Sequence, residues 1–198
     1  MESINQTLFL YLNAPAHPAP ATLFVATLLA EGLIWLIPFG LLAGWLRGGE
    51  ATRKVAIEAT VAATLSVLIA QLIGMVWMHP RPFMIGMGHT HLVHVPDASF
   101  PSDHLTLWWA ASFSLMAHAS LRSAGALLGL LGLLIAWARI YLGVHFPLDM
   151  AGAAAVALIC SEFCAGRRQT FIEPLFSWAT SLHRILLLPL IRRGWVRG

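Results

Sequence analysis

Residues Val55–Met78 read VAIEATVAATLSVLIAQLIGMVWM, and His79-Pro80-Arg81-Pro82 follows at once. A run of this length suits a membrane-crossing helix, which takes about 20 apolar residues, and it ends on an arginine held between two prolines. The pattern recurs along the chain. Apolar runs at Thr22–Leu46, Leu105–Leu121, Ala124–Tyr141 and Leu148–Cys164 bring the total to five. Polar residues collect between them, as Pro101-Ser102-Asp103-His104 and as Arg139-x5-His145-x3-Asp149. The 198 residues are 58% hydrophobic and only 11% charged, where a soluble domain carries about 25% charge. The expected fold is therefore an all-α, polytopic membrane bundle of about five transmembrane helices. Its third and fourth spans are joined tightly by Leu121-Arg122-Ser123 as a helical hairpin.

The ends of the chain read differently. Residues 5–14 are apolar but too short to cross, so an N-terminal interfacial helix is expected. Phe171–Gly198 mixes aromatics, leucines and arginines, which suits an interfacial or peripheral cytoplasmic helix. A sixth crossing there is the alternative. The first 20 residues lack a basic start and a continuous apolar core, so no cleavable signal peptide is expected. The length suits one domain over 1–198, with a tail at about 167–198.

A sequence pI near 9.4 would fit a nucleic-acid binder. The placement of the charges argues for membrane topology instead. Arg47, Arg53 and Lys54 lie between spans one and two, and Arg122 between three and four. Arg167, Arg168, Arg184, Arg192, Arg193 and Arg197 follow span five. Basic loops stay in the cytoplasm, so the Met78–His104 loop and the polar clusters are expected to face outward, where lipid head groups lie.

Those clusters form a kit for phosphoryl transfer. Asp149 sits one turn past His145 and can fix its tautomer, freeing the other ring nitrogen as a nucleophile. Alone, the pair would equally suit a capping aspartate beside an interfacial histidine. Arg139 and Arg81 change that balance, because the guanidinium fork matches phosphate oxygens. Two arginines converging on one outer pocket are better explained by a phosphate ligand than by two separate membrane anchors. Ser102 or Asp103 would cap a helix whose free N–H groups favour an anion. Capping leaves His104 unexplained, and a histidine there can protonate a leaving oxygen. His89, His91 and His94 are loosely spaced with Asp97 as the nearby carboxylate, so a solvated loop is expected rather than a metal site. Cys160 and Cys164 lie four apart in an apolar run and read as packing thiols.

In this order the clusters resemble the type 2 phosphatidic acid phosphatase superfamily, whose pattern is Lys-x6-Arg-Pro, Pro-Ser-Gly-His and Ser-Arg-x5-His-x3-Asp. The likeness covers a core of about 74–150. Arg-Pro-Phe at 81–83, Phe-Pro-Ser-Asp-His at 100–104 and Ala-Arg-Ile-Tyr-Leu-Gly-Val-His-Phe-Pro-Leu-Asp-Met at 138–150 are similar to the bacitracin-resistance branch of undecaprenyl pyrophosphate phosphatases. The resemblance implies His145 as the nucleophile that forms a phosphohistidine, Asp149 as its orienter and His104 as the general acid. It implies Arg81, Ser102 and Arg139 as phosphate ligands. Three positions depart from the pattern: Gly74 for the lysine, Asp103 for the glycine and Ala138 for the serine. Asp103 and His79 are candidate accessory positions, and His79 or another cation is expected to replace the lost lysine in part.

The implied substrate is a polyprenyl lipid, undecaprenyl pyrophosphate, cleaved at the periplasmic face of the bacterial inner membrane to recycle the cell-wall lipid carrier. No cofactor or metal is required, although a divalent cation can accompany the pyrophosphate, and no nucleic acid takes part. The alternatives are another lipid phosphate (phosphatidylglycerol phosphate, diacylglycerol pyrophosphate), a lipid phosphotransferase and a non-catalytic lipid transporter.

Overall fold

The computed structural model describes residues 2–198, and helices dominate it, with no strand among those residues. Helix α1 spans Glu2–Leu12, α2 Pro20–Arg47 and α3 Glu50–Val76. A loop follows, with one short turn of 3₁₀ helix at Pro82–Ile85. Then come α4 at Asp103–Met116, α5 at Arg122–Tyr141 and α6 at Pro147–Gly166. The tail holds α7 at Glu173–Leu186 and α8 at Leu188–Arg192.

Four of these helices, α2, α3, α5 and α6, are long and apolar enough to cross a membrane. Leu68, Leu72, Leu130, Leu133 and Ile159 are exposed on their outer faces, a surface suited to hydrocarbon rather than water. The segment expected as the third span, Leu105–Leu121, forms the shorter α4. Its 14 residues rise about 21 Å, against about 30 Å of hydrocarbon. The shortness is tolerated because α4 packs against α3, α5 and α6 and need not match the lipid. Leu105, Trp108, Ala110 and Ala111 on it are fully buried.

The α4–α5 hairpin closes on glycine. A Cβ at Gly125 would stand 2.6 Å from the Met116 amide nitrogen, and one at Gly132 3.0 Å from Trp108 Cδ1. Small residues at these crossings let two backbones touch. The contact is sealed by Trp108 Nε1 donating to the Leu128 carbonyl (2.6 Å) and Ser112 Oγ to that of Gly125 (2.8 Å).

Helix α1 covers one end of the bundle. Phe9 meets Phe146 edge-on, with ring centroids 5.1 Å apart, and Asn5 Oδ1 accepts from the Leu148 amide at 3.0 Å. Asn13 Nδ2 donates to the carbonyls of His89 (2.9 Å) and Tyr141 (3.1 Å). At the opposite end the tail folds back on the bundle. Trp45 Nε1 donates to His183 Nδ1 at 3.0 Å, Lys54 pairs with Glu173 at 2.9 Å, and Arg53 donates to the Arg197 carbonyl. Among the described residues the tail forms no spanning helix: α7 stops after 14 residues and Leu187 separates it from α8.

Candidate active site

The end covered by α1 gathers the three polar clusters. Arg81 leaves the loop just past α3, Ser102 sits at the N-cap of α4, and Arg139 lies in the last turn of α5. His145 lies in the connection to α6, and Asp149 in the first turn of α6. Pro147 opens α6, where its missing N–H costs nothing. Gly143, at φ +82°, makes the turn before His145, and a Cβ there would run into the His89 carbonyl.

His145 and Asp149 are both buried, and His145 Nδ1 lies 3.2 Å from Asp149 Oδ2. Arg81 Nη1 approaches the other ring nitrogen, Nε2, to 2.9 Å. A guanidinium only donates, so Nε2 presents its lone pair and the ring proton belongs on Nδ1, aimed at Asp149. Burial first, then the charges of Arg139 and Arg81 beside it, push the His145 imidazole well below the ordinary histidine value. The ring is thereby biased towards its neutral form, with the Nε2 lone pair facing Arg81.

Arg81 is pinned on its remaining sides. Its Nε pairs with Asp97 at 2.7 Å, Nη1 donates to the Val144 carbonyl at 2.9 Å and Nη2 to that of Ala98 at 3.2 Å. Arg139 is treated differently. It is 1% exposed, and one nitrogen, Nη1, donates to the Ala30 carbonyl at 3.2 Å. Ala30 lies where α2 widens into a π turn over Leu28–Gly32, a distortion common at functional sites. Among the described residues Nε and Nη2 of Arg139 have no partner, and neither has the buried Ser102 Oγ. Ser102 does not cap α4 through its side chain, although it stands at the N-terminus of that helix. Unpaired buried donors are costly, and here several lie about His145 beside a helix N-terminus, an arrangement that receives an anion.

The remaining sequence candidates are more dispersed. Asp103 accepts from Gln71 Nε2 at 2.6 Å. Both line a cleft of about 260 Å³ with Gly74, Asp97 and Phe100, so two departures from the family pattern face one space. His104 stands at the start of α4, half-buried. His79 turns its ring between Trp77 and Phe146, and its Nε2 lies 3.7 Å from Glu2. That contact is with a carboxylate at the mouth of the bundle, and no hydrogen bond joins His79 to Arg81 or His145 among the described residues. The histidine loop exposes His89 and Val93 and is tied to the bundle through its backbone. The His89 amide donates to Asn13 Oδ1 and the His91 amide to the Leu142 carbonyl. His94 packs against His145, ring centroids 6.3 Å apart, and burial lowers its pKa from the ordinary value.

Ser99 carries no motif that sequence reasoning detects. It is fully buried and its Oγ donates to Asp149 Oδ2. Its one signal in sequence is its place two residues before Pro101-Ser102.

The PAP2 superfamily profile matches residues 56–172. The putative undecaprenyl-diphosphatase YbjG of Escherichia coli (strain K12) is 34% identical over 197 residues, 100% of this chain and 99% of that protein. The undecaprenyl-diphosphatase BcrC of Bacillus subtilis (strain 168) is 30% identical over 190 residues, 96% of this chain and 97% of its own length. The crystal structure of Aquifex aeolicus LpxE superposes with a TM-score of 0.66 at 23% identity, covering 82% of this chain and 95% of that one, which shows a shared fold.

Proposed function

The chain belongs to the PAP2 superfamily of phosphatases, and from that premise we propose that it hydrolyses undecaprenyl pyrophosphate to undecaprenyl phosphate and phosphate through a phosphohistidine on His145. The observation that carries this reading is the buried His145, with Asp149 on Nδ1 and Arg81 on Nε2. The substrate class is supported by the undecaprenyl-diphosphatase BcrC and by YbjG, named as a putative one, which align over nearly the full chain.

The terminal phosphoryl group replaces His145 Nε2 as the acceptor for Arg81 Nη1, and engages the unpartnered nitrogens of Arg139 and the Ser102 hydroxyl. His145 Nε2 then attacks phosphorus in line. The P–O bond to the lipid phosphate breaks, its electron pair stays on that oxygen, and His104 supplies a proton. Asp149 stabilises the positive ring that results. Water next attacks the phosphohistidine while His104 takes up a proton. The P–N bond breaks and phosphate leaves. The arginine forks and the α4 N–H groups hold the charge that develops on the oxygens. The scheme uses the chain's own groups and one water.

The chemistry is assigned to the periplasmic face of the bacterial inner membrane. Arg47, Arg53, Lys54, Arg122, Arg167 and Arg168 lie at the bundle end opposite His145, and that end is read as cytoplasmic.

The test is phosphate release by the purified full-length protein from undecaprenyl pyrophosphate, with phosphatidylglycerol phosphate and diacylglycerol pyrophosphate as competitors. Preference for the prenyl substrate, with acid-labile labelling from terminally labelled substrate, is the expected result. Preference for a glycerolipid overturns the substrate, and absence of label overturns the intermediate. For the face, a cysteine at Thr90 is expected to react with an impermeant thiol reagent in spheroplasts and one at Ser123 is not. The reverse pattern places the site in the cytoplasm.

A further inference from the structure

We propose that Ser99 is a positioning residue for this reaction: it fixes the Asp149 carboxylate against His145 and locks that pair to the loop carrying Arg81. The inference rests on the reading of His145 as the nucleophile.

The two oxygens of Asp149 are treated unequally. Oδ2 accepts from the Ser99 hydroxyl, from the Phe146 amide at 2.7 Å and from His145 Nδ1 at 3.2 Å. Oδ1 is buried with no partner among the described residues. The carboxylate therefore has one committed oxygen, and the donors on it decide which oxygen meets the imidazole. The Phe146 amide belongs to the same turn as Asp149 and moves with it. Ser99 alone comes from elsewhere in the chain, 50 residues away. Its Oγ also stands 3.4 Å from His145 Nδ1, so the hydroxyl touches each member of the pair.

The backbone around Ser99 extends the connection. The Ser99 amide donates to the His79 carbonyl at 2.8 Å. Ala98 and Asp97, just before it, accept from Arg81 Nη2 and Nε. One three-residue segment thus holds the arginine that faces Nε2 and the carboxylate that faces Nδ1. Near-attack geometry needs both sides of the ring fixed together, and groups that orient a catalytic side chain affect turnover without touching substrate.

A merely structural serine would satisfy its own hydroxyl, and its loss would lower stability without a selective change in turnover. Wild type, Ser99→Ala, Ser99→Thr, Asp149→Asn and the Ser99→Ala/Asp149→Asn double variant are compared as full-length proteins in detergent. Undecaprenyl pyrophosphate and phosphatidylglycerol phosphate are both tested, with melting followed in parallel. Ser99→Ala is expected to lower kcat about 10- to 100-fold, with KM within about threefold. Ser99→Thr, which keeps the hydroxyl, is expected to recover most of the loss. In the Asp149→Asn background the alanine is expected to add little, because both changes disable one unit. An unchanged kcat for Ser99→Ala overturns the inference, and so does an equal loss in both backgrounds. If only the glycerolipid is hydrolysed, the substrate reading fails, and the same kcat ratios measured on that lipid still support or overturn the role of Ser99.

Discussion

Each end of the bundle brings together a histidine, a carboxylate and an arginine, yet the two clusters are satisfied in opposite ways. At the end away from α1, Glu58 lies fully buried in the apolar α3. Its Oε2 accepts from Arg168 Nε at 2.7 Å and its Oε1 lies 3.2 Å from His118 Nε2. Neither carboxylate oxygen is left over, and the hydrogen bond to Glu58 pushes the Arg168 pKa above its ordinary value. At the other end the donors outnumber their acceptors. Arg139 Nε, Arg139 Nη2 and Ser102 Oγ have none among the described residues, and His145 is pushed towards its neutral form. The same residue types therefore make a satisfied clasp at one end and leave unpartnered donors at the other. Composition does not separate them; the unpartnered donors do.

The comparison breaks most sharply at His145. His145→Ala is expected to lose activity by about 10⁴-fold or more while its melting temperature and membrane insertion stay close to wild type. Near-normal phosphate release from that variant would end the assignment of the donor-rich end as the reacting one. Glu58→Ala should do the converse. It strands Arg168 and His118, both of which reach water, so a loss of about 2–3 kcal/mol in stability is expected. Thermal melting in detergent reads it, and kcat per folded molecule should hold. A variant with wild-type melting and lost turnover would move Glu58 from clasp to site.

Smaller effects sharpen the contrast at the outer end. Arg139→Ala removes the donors that lack partners, and a hydrogen bond to a charged group contributes about 1.5–3 kcal/mol. The expected loss in kcat/KM is about 10- to 150-fold, with poor recovery by Arg139→Lys, since a point charge does not replace the fork. Wild-type kcat/KM in the alanine variant would put the phosphate elsewhere. pH offers a further check. Burial and the two arginines oppose protonation of His145, so its lone pair persists as pH falls. The acid limb of the kcat/KM profile should lie below the ordinary histidine value of about 6.5. Arg139→Ala removes one opposing charge and should move that limb upward. A downward move would show that the cation does not act on His145.

Much of this is legible in the sequence because its signals are local. Apolar runs mark α2, α3, α5 and α6, and His145 and Asp149 lie one turn apart. The contacts that read poorly are long-range. Ser99 and Asp149 are 50 positions apart, and Glu58 and Arg168 are 110 apart, so no periodicity pairs them. Glu58 is a lone acid in a span-length run, and only packing shows who neutralises it. The length of α4 reads poorly for a related reason. Hydropathy continues to Leu121, yet the helix ends at Met116, because the glycines of α5 draw the chain into a tight return.

The smallest expected effect concerns Gly74, where the family pattern places a lysine. On charge alone, restoring it adds a clamp to the end with surplus donors. The local geometry argues otherwise. A Cβ at Gly74 would stand 3.1 Å from Ala98 Cβ, and the Ala98 carbonyl holds Arg81 Nη2, so any yielding there loosens the hydrogen bond that fixes Arg81. The longer chain would then enter the cleft that Gly74 shares with Asp97, Gln71 and Asp103. A lysine there meets two carboxylates before it meets phosphate. Such a partly solvated pair contributes about 0–1 kcal/mol, so Gly74→Lys should change kcat/KM by no more than about fivefold, and downward if Ala98 moves. A gain well beyond that, measured on undecaprenyl pyrophosphate, would mean that Arg81 and Arg139 leave the anion under-held, and that the donor-rich end is less complete than its unpartnered donors imply.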